Sequence, residues 1–193
     1  SDINLVLTEH SRRYLIAEGV RPETIIKTGS HMREVLDHYM PKVHESDVLA
    51  RMGLKQGQYF IVSVHREENV DEPARVTSIV ESLNAIATTF GYPIILSVHP
   101  RTKKRFEELK TGFHPLVKEM KPFGFFDYVR LQQDSYCTIS DSGTITEEAA
   151  IVGFAAITAR DAHERPEGMD SGVLVMTGIN AQEMMEGIKL SRL

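Results

Sequence analysis

The chain has 193 residues, 41% of them hydrophobic and 25% charged, with a formal net charge of −5; this is a folded globular composition, long enough to bury a core without covalent staples. The acidic balance argues against a dedicated nucleic-acid or anionic-membrane binder, so any basic site has to be local. One cysteine, Cys137, excludes an intramolecular disulfide and fits core filling in a reducing compartment; with no apolar run near the ~20 residues of a membrane span and no signal-peptide pattern, a cytoplasmic protein is expected.

The sequence opens without Met on SDINLVLTEHSRRYLIAEGV and enters a strand and a helix almost at once, which suggests a start within a fold and a fragment of a longer protein. Residues 3 to 8 read as a buried strand, 11 to 18 as a helix closed by Gly19, and ETIIKTG as a second short strand. Residues 31–57 have helix-like runs on either side of Pro41 and no compact apolar block, so a linker is expected there after a first element, 1–30. From Tyr59 the pattern becomes regular. YFIVSV is an apolar strand, and PARVTSIVESLNAIATTF is an amphipathic helix with Val76, Ile79, Val80, Leu83 and Ile86 on one face. PIILSV, LVKEM, YCTIS, AAIT and VLVMT read as further strands, and RTKKRFEELK, FFDYVRLQQD, ITEEAAIVG and AQEMMEGIKL as helices.

Apolar strands alternating with helices predict the α/β class: a Rossmann-like parallel sheet covered on both faces, over 58–180, followed by a closing helix within 181–193. Ligands bind such sheets at the carboxyl ends of the strands, which directs attention to the loops after residues 64, 98, 121, 140 and 158.

The first loop, SVHREENVDEPA, carries His65, Arg66, Glu67, Glu68 and Asn69. It reads either as a solvated acidic helix start with a loop histidine, or as a site in which His65 donates to a phosphate and serves as general acid. The second, SVHPRTKK, brings His99 and Arg101 to the same level, so two His-plus-Arg pairs suit an anion at the rim. Pro100 also stops the strand, and Lys103, Lys104 and Arg105 fit a solvated face.

The turn CTISDSGTITEEAA has two readings as well. Thr144 and Glu147 have capping-box spacing, which needs no ligand; a Ser/Gly turn at a helix start also aims N–H groups at a phosphate. In ARDAHERPEGMDSG, Arg165 is either a phosphate or hydroxyl clamp or the partner of Glu164 or Glu167. KPFGFFDYV offers a stacking face or core packing. No metal-ligand spacing, dinucleotide fingerprint, P-loop or nucleophile elbow occurs, so no cofactor or metal is expected.

In their order, SVHREENVD, HPR, SDSGTITEEA and RDAHERPEG resemble the carboxyl-terminal half of the non-hydrolysing UDP-N-acetylglucosamine 2-epimerases, over about residues 1 to 180. The resemblance implies one half of a GT-B-like enzyme with two Rossmann-like domains, a homodimer when complete, and reversible inversion at C2 of a UDP-2-acetamido sugar through UDP elimination and re-addition. It further implies His65 near the diphosphate, Ser142 and Gly143 as phosphate-facing amides, Glu148 on the ribose hydroxyls, Arg165 in the ERPE block and Tyr128 at the uracil. Phe123 stands where many members have glutamine, while Arg66, His99 and Arg101 fall in rim blocks. Where the family turn is DSGG, this chain has Thr144; its blocks are similar to the branch that acts on UDP-2-acetamido-2,6-dideoxy-L-talose in capsule or O-antigen synthesis. The family's C2 acid/base carboxylates belong to the amino-terminal domain, so this chain alone is expected to bind nucleotide weakly and to turn over nothing. Two other readings stand beside the epimerase: a non-catalytic UDP-sugar-binding module, and a GT-B glycosyltransferase half.

Overall fold

The computed structural model describes residues 2–109, 112–161 and 172–193. Two compact units are present, Ser1–Tyr39 and Met40–Leu193. In the first, β1 (Asn4–Val6) and β2 (Ile25–Lys27) form a parallel pair in the register Asn4↔Ile25. Between them α1 (Glu9–Ala17) starts earlier than its apolar pattern predicts. Thr8 is the reason, because its hydroxyl accepts the Ser11 amide at 3.1 Å and so caps the helix at that point.

Pro41 does not divide the following helix, α2 (Met32–His44). It sits in the last turn, where the helix forgoes the one bond that an N–H would have given the Asp37 carbonyl and runs on only to His44. After α3 (Val48–Met52) the second unit follows the predicted alternation: β3 (Phe60–Ser63), a one-turn α4 (Glu67–Val70), α5 (Pro73–Phe90), β4 (Ile94–Ser97), α6 (Pro100–Glu107), β5 (Val117–Met120), α7 (Phe125–Gln133), β6 (Cys137–Ser140), α8 (Ile145–Val152), β7 (Ala156–Thr158), β8 (Val175–Met176) and α9 (Ala181–Leu190).

All six strands from β3 to β8 are parallel, in the order β5-β4-β3-β6-β7-β8. This is the doubly wound order, and the direction of winding reverses between β3 and β6. Their register, Phe60↔Cys137 to Ser63↔Ser140, brings the two carboxyl ends level.

Alternation along the strands builds two cores. Phe60, Val62, Ile94, Leu96 and Ile139 face α5, α6 and α9, against Ile79, Leu83, Phe106 and Ile188. Tyr59, Ile61 and Ile95 face the other way, onto Val48 of α3 and Leu131 of α7, while Ala156 meets Ile145 and Ala149 of α8. Helices therefore cover both faces of the sheet, as the continuous apolar strands predict. The Tyr59 hydroxyl donates to the Leu131 carbonyl at 2.7 Å, fixing α7 to the sheet.

Phe60 anchors an aromatic group: its ring centroid lies 5.3 Å from Phe90, 5.3 Å from Tyr136 and 6.5 Å from Tyr92. Cys137, on the neighbouring strand, is fully buried in the same core, and burial pushes its thiol up to about 12. α9 approaches the sheet closely at Gly187, where a Cβ would fall 2.2 Å from Thr177 Cγ2. Any side chain there requires Thr177 or the helix to shift.

Candidate functional site

The loop after β3 and the turn after β6 meet at the switch point, and a buried carboxylate joins them. Asp141, fully buried at the end of β6, accepts the His65 amide at 3.0 Å and the Arg66 amide at 2.9 Å. The side-chain amide of buried Asn69, on α4, donates to the same carboxylate at 3.1 Å and to the Ala159 carbonyl at 3.0 Å. Three strand ends are thereby tied: β3 through its loop, β6 through Asp141 and β7 through Ala159. Arg75 of α5 extends the network, donating to Asn69 Oδ1 at 2.8 Å and pairing with Asp161 at 2.5 Å.

His65 is held by its backbone while its side chain is about half exposed, at 51%, with Nδ1 3.2 Å from Asp141 Oδ1. Arg66 lies alongside, its Nε donating to the Asp141 carbonyl at 3.1 Å. Sequence reasoning placed Asn69 in the first loop and Asp141 in the turn without giving either a role, and passed over Gln132. The available signal was an acid directly at the end of an apolar strand, facing a loop rich in N–H donors.

The β6–α8 turn differs from the capping-box expectation. Thr144 has αR backbone angles, φ −75° and ψ −17°, and makes no side-chain cap bond. A side chain caps best from an extended residue, and the Thr144 hydroxyl instead meets Ser142 Oγ at 3.0 Å. The Ser142 amide is likewise engaged inside the turn, donating to Ser140 Oγ at 3.1 Å. Of the two amides expected to face phosphate, Ser142's therefore has an internal acceptor, and its hydroxyl is already bonded to Thr144, which leaves the Gly143 amide and the start of α8 to meet a ligand. The positive end of the helix dipole suits an anion there.

Glu148 stands one turn into α8. Its Oε2 accepts from Gln132 Nε2 on α7 at 2.7 Å, and Gln132 is buried, so the carboxylate is held in place. Tyr128, also on α7, has its phenol pushed up by burial first and by the charge of Glu148 second, with a hydrogen bond to Ser63 opposing. It stays a donor at neutral pH, at the level where β3 ends. Both Tyr128 and Phe123 pack partly buried onto the core around Tyr59 and Ile61, so these two rings pack rather than stand free, whereas Phe125 is exposed.

His99 is exposed after β4 and its carbonyl accepts the Lys103 amide. Arg101 lies in the first turn of α6, but its side chain lies outside the description. His163, Glu164, Arg165 and Glu167 lie outside the described residues. The cavities differ in charge. One of about 640 Å³, lined by Glu67, Glu68, Asp71, Glu72 and Asp161 with Arg75, disfavours a diphosphate; another, of about 540 Å³, sets Lys103, Lys104 and Lys121 beside Glu107 and Glu119, with Val98, Pro100 and Met120. Among the described residues, no cluster of His, Cys, Asp and Glu could hold a metal ion, and no helix is long and apolar enough to cross a membrane.

Comparison with known proteins shows what the chain as a whole is similar to. A solved structure of UDP-N-acetylglucosamine 2-epimerase from Rickettsia bellii superposes over 100% of the chain and 52% of its own, with a TM-score of 0.91 and 45% identity. The Methanocaldococcus jannaschii UDP-GlcNAc 2-epimerase, crystallised in complex with UDP-GlcNAc and UDP, superposes with a TM-score of 0.89 and 29% identity over 99% of the chain and 54% of its own. A UDP-2,3-diacetamido-2,3-dideoxy-D-glucuronate 2-epimerase from Pseudomonas aeruginosa is 35% identical over 70% of the chain and 38% of its own length. The chain thus spans about half the length of the first two relatives. With the family model for UDP-N-acetylglucosamine 2-epimerase matching residues 1–192, the chain belongs to that family.

Proposed function

We propose that this chain is the UDP-binding half of a GT-B-like enzyme that inverts C2 of a UDP-2-acetamido sugar. The observation that carries the reading is the convergence of His65, the start of α8 and Glu148 on the level ends of β3 and β6, where a doubly wound sheet binds nucleotides. Residues 1–30 then end an amino-terminal Rossmann-like domain, 31–57 link it, 58–180 form the UDP-binding domain and 181–193 close it. The complete protein is a cytoplasmic homodimer.

In the reaction, a carboxylate of the other half removes the C2 proton. The C2–H electrons form the C1=C2 bond of a 2-acetamidoglycal as the C1–O bond to UDP breaks. His65 supplies a proton or a charge-assisted hydrogen bond to the departing phosphate oxygen. Re-addition of UDP with a proton delivered to the other face completes the inversion. Ser142 and Gly143 meet the diphosphate, with Arg66, Arg101 and Arg165 as further cations and His99 as a further polar group. Glu148 holds the ribose hydroxyls and Tyr128, with Phe123, lies at the uracil.

The finer reading is the branch that uses UDP-2-acetamido-2,6-dideoxy-L-talose and makes UDP-N-acetyl-L-fucosamine for capsule or O-antigen. Thr144 in place of the second glycine of the turn supports it. The complete protein, assayed in D2O against UDP-GlcNAc and its 6-deoxy-L-talo counterpart side by side, should wash deuterium into C2 of one of them. Saturable UDP-sugar binding with no exchange on any 2-acetamido substrate would instead mean a binding module.

Glu148→Ala should weaken UDP binding by about 10- to 100-fold, the scale of lost hydrogen bonds to a charged group, and leave pyrophosphate binding within about twofold. Calorimetry with both ligands checks this. An equal loss for both would remove Glu148 from the ribose.

A further inference from the structure

The geometry points to Asp141 as a positioning residue that holds the neutral His65 imidazole in its Nδ1–H form, so that Nε2 is the ring atom offered to the ligand; this rests on the role proposed for His65. The two oxygens of Asp141 face different groups. Oδ2 accepts three N–H donors, the amides of His65 and Arg66 at 3.0 and 2.9 Å and Asn69 Nδ2 at 3.1 Å. Oδ1 faces the His65 side, 3.2 Å from its amide and 3.2 Å from Nδ1.

A carboxylate oxygen has only lone pairs to present. The contact with Nδ1 is attractive when that nitrogen carries the hydrogen and repulsive when it carries a lone pair. The terminal torsion of an imidazole is soft, so a small ring rotation aligns the N–H with Oδ1 without moving the loop, whose backbone is already fixed by Oδ2. A neutral imidazole protonated on one nitrogen is unprotonated on the other, and the partner of one nitrogen decides which. Asp141 is fully buried and the His65 side chain is half exposed, at 51%, so with Nδ1 against Asp141 it is the Nε2 edge of the ring that remains for a ligand. There it can take up a proton and deliver it to a phosphate oxygen, always from the same atom.

Asp141→Asn separates this role from mere support. The position of Oδ2 has to remain an acceptor for three N–H groups, so the new amide places its oxygen there and turns its NH2 toward Nδ1. Nδ1 must then accept, and the ring hydrogen moves to Nε2. Shape and loop are retained while the tautomer reverses.

The test uses the complete protein with 15N-labelled histidine at alkaline pH, where imidazoles are neutral, in long-range 1H–15N spectra with His65→Gln assigning the signals. The expected result is a pyrrole-type Nδ1 and a pyridine-type Nε2 in the unmodified protein, with the pattern exchanged in Asp141→Asn. An Nε2–H tautomer in the unmodified protein overturns the proposal, even if the variant fails to fold; so does a folded variant in which the tautomer is unchanged. Neither spectrum depends on turnover, so loss of the epimerase reading leaves this result standing, and the reverse. In an active enzyme the variant should lower kcat by about 100-fold or more while the Kd for UDP changes less than about threefold. Loss confined to UDP affinity would also count against it.

Discussion

His65→Ala in the complete enzyme lowers deuterium exchange at C2 about 100-fold or more, the scale on which positioned acid–base or electrostatic groups act. In barrier terms that is about 2.7 kcal/mol. The imidazole is a half-exposed group at the reversal of the sheet, and in the proposed reaction it stands where charge develops as UDP departs. Ground-state affinity should fall far less, because the start of α8 and the Gln132-held Glu148 remain. The loop itself should survive, since Asp141 holds it through the amides of residues 65 and 66, which alanine retains. Exchange followed by NMR, with the UDP Kd measured beside it, checks both halves of this expectation. Unchanged exchange would remove His65 from the chemistry.

Phe60→Ala costs the second unit about 3–5 kcal/mol, the range for removing a buried phenylalanine. The ring is fully buried on a central strand, and it is the common neighbour of Phe90, Tyr92 and Tyr136. Truncation therefore leaves a cavity and removes tilted and edge-to-face pairs worth roughly 0.5–1.5 kcal/mol each beyond area burial. Against a typical domain stability of about 5–15 kcal/mol this is a large share. Native-state hydrogen exchange of β3 and β6 amides reads the loss directly. Phe60→Leu, which keeps most of the volume, should lose less than half as much. A loss below about 1 kcal/mol for Phe60→Ala would mean that the surrounding rings close the space.

Much of the fold was legible because buried parallel strands write themselves as continuous apolar runs. Phe60–Ser63, Ile94–Ser97 and Cys137–Ser140 all lie within the strands read from the pattern, and α5 buries the face that its periodicity marked. The doubly wound class followed from the alternation of strands and helices. What local pattern does not carry is side-chain bonding over long separations. Asp141 reaches a loop 75 residues earlier, and Gln132 reaches across to Glu148 from a different helix; neither pair has a period to detect. The capping box failed for a related reason. Its spacing is present, but the hydroxyl of Thr144 found a nearer partner in Ser142. Pro41 was misleading in the opposite sense, since the helix runs through it to His44 at the cost of the one bond to the Asp37 carbonyl.

Cys137 has a practical consequence. Thiol-reactive reagents attack the thiolate, and this thiol is shielded from reagent and pushed up to about 12. Over the stretch described here, the native background is chemically silent without substitution. A cysteine introduced at an exposed position such as Tyr14 or Phe125 would take a fluorophore or spin label alone among these residues, giving each unit its own reporter for distance measurements as nucleotide binds.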